Sequence, residues 1–423
     1  MYSLAIQIYL AAMKMAAFFH TKARKWVDGR IGLIERLKEE IPALKGNRPV
    51  AWFHAASLGE FEQGRPVLEE FRNKFPDYFI LLTFFSPSGY EVRKNYKGAD
   101  YICYLPADTK GNAKQFVDIF QPRITFFIKY EFWYHYLSEL QKRSALIISF
   151  SAIFRKDQLF FKWYGGSYRK TLTLFDHLFV QNEESARLLS TIGIQNVTRN
   201  GDTRFDRVLE IAKNRLSLPE IASFVAGEPC LVVGSAWEED MQKVIIPYLN
   251  RHSGHIKLKV IIAPHEISDD SITKWSSQLK MNSLRYSDYK SAGFKDELGV
   301  AAGCLFIDNI GMLSSLYQYG TVAFVGGAFG SGLHNILEAV TYGIPVFFGS
   351  EKYEKFQEAI DLIEAGGAVA VHNEAEFSSA LNALLMDRQR LEEKGGIAAR
   401  YIHENAGAVL PIMEFVDKKL NSV

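Results

Sequence analysis

The strongest constraint on the fold is a regular alternation of short apolar runs and longer amphipathic stretches, which begins at Pro49. The apolar runs of the first half are PVAWFHAA, YFILLTFFS, ADYICYLP, RITFFIKY, ALIISFSA and HLFVQN, and helical stretches such as FEQGRPVLEEFRNKF separate them. Near-continuous apolar strands between helices are typical of a parallel sheet that is covered on both faces. The sequence therefore predicts an α/β fold.

The same alternation starts again after the polar interval NRLSLPEIASFVAGEP. A chain of 423 residues is also too long for one ordinary core. We therefore predict two doubly wound, Rossmann-like domains that face one another across a cleft. Ligands of such domains bind at the carboxyl ends of the strands, so we expect them in this cleft. We place these domains at residues 28–215 and 216–423, with the last helices packing back, and a separate segment at residues 1–27.

Composition narrows the classes of function. The formal net charge is +1 and no block of like charges stands out, which argues against a dedicated nucleic-acid-binding protein. Cys103, Cys230 and Cys304 are far apart and odd in number. They fit neither a disulfide framework nor a metal knuckle, so we interpret them as buried small side chains in a reducing compartment.

The N-terminal segment MYSLAIQIYLAAMKMAAFFH is apolar apart from Gln7 and Lys14, and the basic stretch TKARKW follows it. It lacks the cleavage site of a signal peptide, and Lys14 makes it a marginal membrane span. Two interpretations associate it with a membrane: a short signal anchor, or a helix that lies in the interface. The third interpretation is an ordinary buried first helix.

The stretch HAASLGEFEQG contains two overlapping signals. Ser57 and Glu60 have the spacing of a capping box, in which each side chain accepts a hydrogen bond from a free backbone N–H group at the start of a helix. A carboxylate between the end of a strand and the start of a helix is also well placed for a general base. Glu60 is therefore a candidate for either role.

A glycine-rich loop in TVAFVGGAFGSGLHNILEAVTYGIPVFFG joins an apolar strand to a helix that we expect to begin near His334. Gly326 and Gly327 would let backbone N–H groups approach a ligand, and a helix N-terminus attracts phosphate. Glu338, one turn into the helix, could accept hydrogen bonds from ribose hydroxyls. The alternative is a packing loop, and the partial match to a dinucleotide fingerprint is weak.

An ordered set of motifs resembles the bacterial 3-deoxy-D-manno-octulosonic acid (Kdo) transferases specific for lipid A, over nearly the whole chain. The motifs are HAASLGEFEQGRPVL, IKYEFW, SFSAIFRK, FVQNEESARLLSTIGIQNVTRNGDTRFD, IIAPHE, FIDNIGMLSSLYQYGTVAFVGG and HNILEAVTYGIPVFFG. The resemblance implies a GT-B fold and inverting, metal-independent transfer of Kdo from CMP-Kdo to a lipid A precursor. It also implies attachment to the cytoplasmic face of the inner membrane and no cofactor besides the donor substrate.

The resemblance also implies roles for individual residues. Glu60 falls on the proton acceptor, and Glu131 and Arg204 fall on positions that support the transition state. The residues that match segments holding CMP are Pro264, His265, Ile310, Gly311, Met312, Asn335, Ile336, Leu337 and Glu338. A wider set of nucleotide-binding candidates adds Ser235, Gly326, Gly327 and His334.

Purely structural roles remain open for three of these residues. Glu131 could pair with Lys129 or Arg123, Arg204 could pair with Asp202 or Asp206, and Glu338 could complement the dipole of its helix. The chain departs from many members of the resembled family at three places. It has Lys129-Tyr130-Glu131 where they have Glu-Thr-Glu, and Trp133-Tyr134-His135 where they have Trp-Pro-Asn. It also lacks the Arg that they have directly before the position of His265.

The sequence offers no evident metal ligands. It contains no Asp-x-Asp motif, and His20, His54, His177, His252 and His255 have no ligand spacing. We expect these histidines to be core or surface residues. The aromatic and basic stretch Asp157 to Phe175 is a further candidate for contact with the membrane and the acceptor, or an amphipathic helix buried on its aromatic side.

Two rival functions remain. The first is another GT-B enzyme, either a transferase or an epimerase, that uses a uridine sugar nucleotide. The second is a scaffold without catalytic activity that binds lipid or nucleotide.

Overall fold

The computed structural model describes residues 2–252, 257–294, 299 and 301–421. His255, one of the five scattered histidines, lies outside these residues. The chain forms two compact units, one of Met1–Arg207 with Asn405–Val423 and the other of Val208–Glu404.

The first unit alternates strands and helices along the chain. Its strands are β1 (Val50–Ala55), β2 (Phe79–Phe84), β3 (Tyr101–Tyr104), β4 (Pro122–Ile128), β5 (Leu146–Ala152), β6 (His177–Val180) and β7 (Val197–Arg199). Its helices begin with α1 (Tyr2–Ala16), α2 (Thr21–Asp28), α3 (Leu33–Lys45), α4 (Leu58–Lys74), α5 (Pro87–Arg93) and α6 (Lys110–Phe120). They continue with α7 (Tyr134–Lys142), α8 (Gly166–Leu172), α9 (Glu183–Thr191) and α10 (Thr203–Lys213), which crosses the unit boundary.

The seven strands of the first unit form one parallel sheet in the order β3-β2-β1-β4-β5-β6-β7. Strands β1 and β2 are buried along their whole length, because apolar helices cover both faces of the sheet. The strand order reverses between β1 and β4. In open α/β sheets, ligands bind at such a reversal, beyond the carboxyl ends of the strands.

The second unit has the same architecture. Its strands are β8 (Cys230–Ala236), β9 (Lys259–Pro264), β10 (Ser283–Arg285), β11 (Cys304–Phe306), β12 (Val322–Val325), β13 (Val346–Gly349) and β14 (Ala368–Val371). Its helices include α11 (Pro219–Val225), α12 (Glu238–Asp240), α13 (Ile246–His252), α14 (Asp269–Gln278), α15 (Tyr286–Ser291) and α16 (Leu313–Leu316). They continue with α17 (Leu337–Val340), α18 (Gln357–Ala365), α19 (Glu374–Met386) and α20 (Arg388–Asn405), whose last residue belongs to the first unit.

These strands form a second parallel sheet in the order β10-β11-β9-β8-β12-β13-β14, and the order reverses between β8 and β12. The prediction of two doubly wound α/β domains is therefore confirmed. The three cysteines are free and buried, as predicted.

The last helix, α21 (Val409–Asn421), belongs to the first unit. It places Ile412, Met413 and Val416 in the same apolar core as Phe126 of β4. The turn before it is held by Asp206, whose carboxylate accepts hydrogen bonds from the N–H groups of residues 407 and 408 at 3.0 and 3.1 Å.

Helix α1 contains no buried residue, so the interpretation as an ordinary buried first helix is wrong. One side of α1 lies against the first unit, and its exposed apolar residues are Leu4, Ile8, Tyr9 and Met15, which Phe18 and Phe19 follow. Within the described residues, no helix has both the length and the apolar character that crossing a membrane requires.

Candidate active site

Glu60 lies in the first turn of α4, directly beyond the carboxyl end of β1. Its Oε2 accepts a hydrogen bond from the backbone N–H of Ala56 at 2.5 Å. The side chain of Ser57 makes no capping hydrogen bond, so the reciprocal capping box does not form. The carboxylate of Glu60 thus ties the strand end to the helix, without help from the Ser57 hydroxyl.

The surroundings of Glu60 favour its neutral form. Burial and, after it, the neighbouring Glu131 carboxylate raise the pKa of Glu60 to about 8, although the Ala56 hydrogen bond and the Lys129 charge lower it. The cation at Lys129 therefore stabilises the ionised form of Glu60. A carboxyl group with a pKa near the working pH suits proton transfer.

Glu131 is buried just beyond the end of β4, next to β1 in the sheet. Its Oε2 accepts a hydrogen bond of 2.5 Å from the Trp133 indole N–H and lies 3.1 Å from Nε2 of His54. Nδ1 of His54 is in turn 2.8 Å from the hydroxyl of Thr83 on β2. Three strands thus fix the position of this carboxylate.

His54 is a core residue, as predicted, but the sequence did not indicate that it contacts Glu131. The side chain of His54 is fully buried and contacts Glu131, which lies beyond the carboxyl end of β4. A polar residue inside an otherwise apolar strand, VAWFHA, is the signal that could have drawn attention to it.

Arg204 lies in the first turn of α10 and pairs with Asp202. Its Nε donates to Asp202 Oδ2 at 2.8 Å, while Oδ1 of Asp202 accepts a hydrogen bond of 2.6 Å from Gln63 of α4. The Thr203 hydroxyl donates to the backbone carbonyl of Gln63 and lies 2.8 Å from the hydroxyl of Ser151. The segment that carries Arg204 is therefore fastened to the helix that carries Glu60.

Tyr130 links these groups. Its hydroxyl accepts a hydrogen bond from Arg155 at 2.9 Å. Burial raises the pKa of Tyr130, and Arg155 lowers it. Among the smaller effects, Glu60 raises this pKa and Arg204 lowers it. Glu60, Glu131 and Arg204 therefore share one electrostatic environment at the carboxyl end of the first sheet.

In the second unit, the glycine-rich loop packs against the start of α12. The carboxylate of the buried Asp240 accepts hydrogen bonds from the N–H groups of Trp237 and Gly327, at 3.0 and 2.9 Å. A Cβ atom at Gly326 would lie 2.3 Å from the carbonyl oxygen of Ser235, so only glycine fits there. Gly327 has a φ of +97°, which also favours glycine.

Three aromatic rings converge beside this loop. The ring of His265, at the end of β9, stacks on Trp237 with centroids 4.4 Å apart and lies 4.3 Å from the ring of His334. The N–H of His265 also donates to Ala236 at the end of β8. The structure thus brings together Ser235, His265, Gly326, Gly327 and His334, all of them predicted nucleotide-binding residues.

His334 is held in a neutral form. The Trp237 indole N–H donates to Nε2 of His334 at 2.7 Å, so this nitrogen carries no proton. Burial and, after it, the charge of His265 lower the pKa of His334 to about 4. The remaining ring N–H, on Nδ1, is then a donor that does not titrate near neutral pH. Trp237 is not among the predicted binding residues, although it directly follows the end of β8.

The other predicted nucleotide-binding residues differ in exposure. Ile336 and Leu337 are buried, so only their backbone could meet a ligand, whereas Asn335 is exposed and donates to Glu338 at 3.2 Å. Helix α17 begins at Leu337 and has one turn, so it is shorter and starts later than predicted. Pro264 ends β9, next to His265.

Residues 310–312 form a turn after β11. Ile310 is 91% exposed, Gly311 has a φ of +95°, and Met312 is buried with its sulfur 2.9 Å from the Asn309 side-chain amide. Among the contacts of the described residues, no hydrogen bond or ring contact joins this turn to the three rings. Nor do the described residues include a group of three or more His, Cys, Asp or Glu side chains placed to hold a metal ion.

Comparisons with known proteins agree with this architecture. The chain resembles the UDP-GlcNAc 2-epimerase from Neisseria meningitidis bound to UDP-GlcNAc, with a TM-score of 0.62, 15% identity and coverage of 87% of this chain and all of that one. It also resembles Acinetobacter baumannii MurG, with a TM-score of 0.53, 12% identity and coverage of 88% and 99%. At these identities, the likeness concerns the GT-B fold alone.

The sequence comparisons are more specific. Residues 27–207 match the family described as 3-Deoxy-D-manno-octulosonic-acid transferase (kdotransferase). The chain is 27% identical to the 3-deoxy-D-manno-octulosonic acid transferase of Aquifex aeolicus, over 85% of this chain and 94% of that protein. It is 26% identical to the enzyme of the same name from Chlamydia trachomatis serovar A, over 89% and 87%. The chain is therefore similar to Kdo transferases over most of its length, and its residues 27–207 match their family.

Proposed function

We propose that this protein transfers Kdo from CMP-Kdo to a lipid A precursor in lipopolysaccharide synthesis, with inversion at the anomeric carbon. The observation that carries the proposal is the pair of carboxylates, Glu60 and Glu131, inside the region that matches the Kdo transferase family. The environment raises the pKa of Glu60, while the Trp133 indole N–H donates to Glu131 and Nε2 of His54 lies beside that carboxylate.

In the proposed reaction, Glu60 takes the proton of an acceptor hydroxyl as its oxygen attacks the anomeric carbon of Kdo. The bond between that carbon and the phosphate oxygen breaks, and CMP leaves with the bonding electron pair. Arg204 and Glu131 stabilise charge that develops in the transition state. No cofactor takes part in this scheme, and no metal ion is required.

The second unit would bind CMP. The Nδ1–H of His334 offers a donor beside the ring of His265, next to the Gly-rich loop that contacts Asp240. These groups suit the phosphate and the base of a nucleotide. Asn335 and Glu338 are further polar groups for the ribose hydroxyls, whereas Ile310, Gly311 and Met312 rest on the family resemblance alone.

Incubation of the purified protein with CMP-Kdo or UDP-GlcNAc and a lipid A precursor tests this function. We expect release of CMP and a product whose mass has increased by one or more Kdo units, and no turnover of UDP-GlcNAc. Turnover of the uridine donor alone would support the rival sugar-nucleotide enzyme, and the sequence relatives do not favour this. Lack of turnover with either donor would support the scaffold.

We further propose that the first unit contacts the cytoplasmic face of the inner membrane through two surfaces. The first surface is the exposed apolar side of α1 with Phe18 and Phe19. The second surface runs from the segment between β5 and α8 into α8. Trp163 is 91% exposed there, and Tyr164 and Tyr168 are exposed beside basic residues. Aromatic rings and lysines at one surface suit an anionic lipid interface.

Sedimentation with phosphatidylglycerol vesicles tests these surfaces. We expect Phe18→Ser with Phe19→Ser, and separately Lys162→Ser with Lys170→Ser, to reduce the bound fraction, while Val92→Ser, an exposed apolar residue on α5, leaves it unchanged. Arg169 is unsuitable for this test, because its guanidinium donates to the carbonyls of Phe160 and Lys162 and so supports the local fold. Equal binding of all variants would contradict the proposal.

A further inference from the structure

The start of helix α1 is fastened to the rest of the first unit by two polar contacts. The Tyr2 hydroxyl donates to Oδ2 of Asp108 at 2.5 Å, and the Tyr2 ring packs edge-on against Tyr134 and His135. The Ser3 hydroxyl lies 3.0 Å from Nε2 of His135. The first residues of α1 therefore contact the start of α7.

Asp108 acts as the cap of α7. Its two carboxylate oxygens accept hydrogen bonds from the backbone N–H groups of His135 and Tyr136, at 3.1 and 3.0 Å. The N-cap residue, Trp133, has no side chain that could do this. A buried carboxylate from another part of the chain thus satisfies the free donors of the first turn.

The same Trp133 holds Glu131. Its indole N–H donates to Glu131 Oε2 at 2.5 Å, so the position of the first turn of α7 sets the position of that carboxylate. A second route also leads from α1 to Trp133. The ring of Tyr9 packs against Trp26 and Phe85, and Phe85 packs on Trp133 with centroids 4.8 Å apart.

We propose that α1 helps to build the acidic site, in addition to any contact with a membrane. Tyr2 and Asp108 are positioning residues that fix Trp133, and through it Glu131, for the transferase reaction. This inference rests on the proposed function for the role of Glu131. The physical link from Tyr2 to Trp133 can be measured without turnover.

Tyr2→Phe tests the link, because it keeps the ring and removes only the hydroxyl. Tyr101→Phe is the matched control, since the Tyr101 hydroxyl donates to Glu40 at 2.7 Å on another part of the same unit. We expect Tyr2→Phe to lower kcat about tenfold with the KM for CMP-Kdo unchanged, because small displacements of catalytic groups are costly. Tyr101→Phe should change neither constant.

The second measurement is the indole N–H resonance of Trp133 in ¹⁵N-labelled protein, assigned with Trp133→Phe. We expect this resonance to shift in Tyr2→Phe and to stay in place in Tyr101→Phe. An unchanged resonance, or an unchanged kcat when Glu131→Gln is inactive, would overturn the inference. If the resonance shifts but Glu131→Gln keeps full activity, the link is supported, and the proposed role of Glu131 fails instead.

Discussion

The indole N–H of Trp237 and Nε2 of His334 form a hydrogen bond of 2.7 Å between residues 97 positions apart in the chain. Because an indole can only donate, this contact fixes the tautomer of His334. The imidazole also packs over Gly327, where a Cβ atom would lie 2.7 Å from its Cδ2. The ring thus has one orientation and one proton, on Nδ1.

Replacing Trp237 with Phe should raise the pKa of His334. The donor stabilises the neutral ring, so its loss should raise the pKa by about 1 from its value of about 4. Histidine NMR titration would measure this change. Trp275→Phe is the control, because its indole N–H donates to Glu238 at 2.7 Å in the same unit. An unchanged His334 titration in Trp237→Phe would contradict the assigned tautomer.

Glu60→Gln should abolish transfer and stabilise the fold. In the unchanged protein, the pKa of Glu60 rises from 4.5 to about 8 on folding, so stability falls as pH rises through this window. The Gln variant does not lose stability in this way. The difference in the free energy of unfolding between the variant and the unchanged protein should therefore grow by up to about 1.4 kcal/mol for each pH unit in this window. Urea unfolding at pH 5 and pH 8 measures it. A purely structural cap would instead lose stability and keep activity.

The pH dependence of the rate should report the two carboxylates. A general base must be ionised, so kcat/KM should rise as pH passes the pKa of Glu60 at about 8. Glu131→Gln removes a negative neighbour that raises this pKa, so the rise in any residual activity should move to lower pH. Rate profiles between pH 5 and pH 10 measure the midpoint. An unmoved midpoint would show that the charge of Glu131 does not act on Glu60.

A pair of variants can distinguish a catalytic role of Arg204 from a structural role in its ion pair with Asp202. Arg204→Gln and Asp202→Asn both break the same ion pair, and both should lower the free energy of unfolding. Only Arg204→Gln should lower kcat, by about 10²-fold, if the guanidinium stabilises the transition state. Equal kcat values for the two variants would assign Arg204 a structural role.

Gly59 offers a test of how closely the substrate approaches Glu60. It lies in the first turn of α4, and a Cβ atom there would meet nothing within 4 Å, so packing does not require glycine. Gly59→Ala should raise the free energy of unfolding by about 0.5–1 kcal/mol. If an acceptor lies against this turn, the same variant should raise the acceptor KM. A stabler enzyme with unchanged kinetics would place the acceptor elsewhere.

The sequence predicted the fold well because strand burial leaves a direct signal. PVAWFHAA and CLVVGSAW are apolar runs that became β1 and β8, the strands at the two reversals of order. Contacts between distant residues leave no such signal. The bond from Tyr2 to Asp108 joins residues 106 positions apart, and the bond from His54 to Glu131 joins residues 77 positions apart.

Local signals were also only partly reliable. The spacing of Ser57 and Glu60 predicted a capping box, but Glu60 binds the N–H of Ala56 and the Ser57 hydroxyl does not cap. The helix expected near His334 begins at Leu337, and the N–H of His334 instead donates to the carbonyl of Gly326 in the glycine-rich loop. In both places, the hydrogen bonds within the same stretch of chain differ from those that the local pattern predicted.

The position of α21 has a consequence for biosynthesis. A ribosome makes this chain from the N-terminus, and the first unit lacks Ile412, Met413, Val416 and Leu420 from its core until the final helix emerges. The whole second unit is translated before that moment. One face of the sheet in the first unit therefore stays incompletely covered while the second unit can already fold. This order is the reverse of the usual one, in which the N-terminal domain folds first during translation.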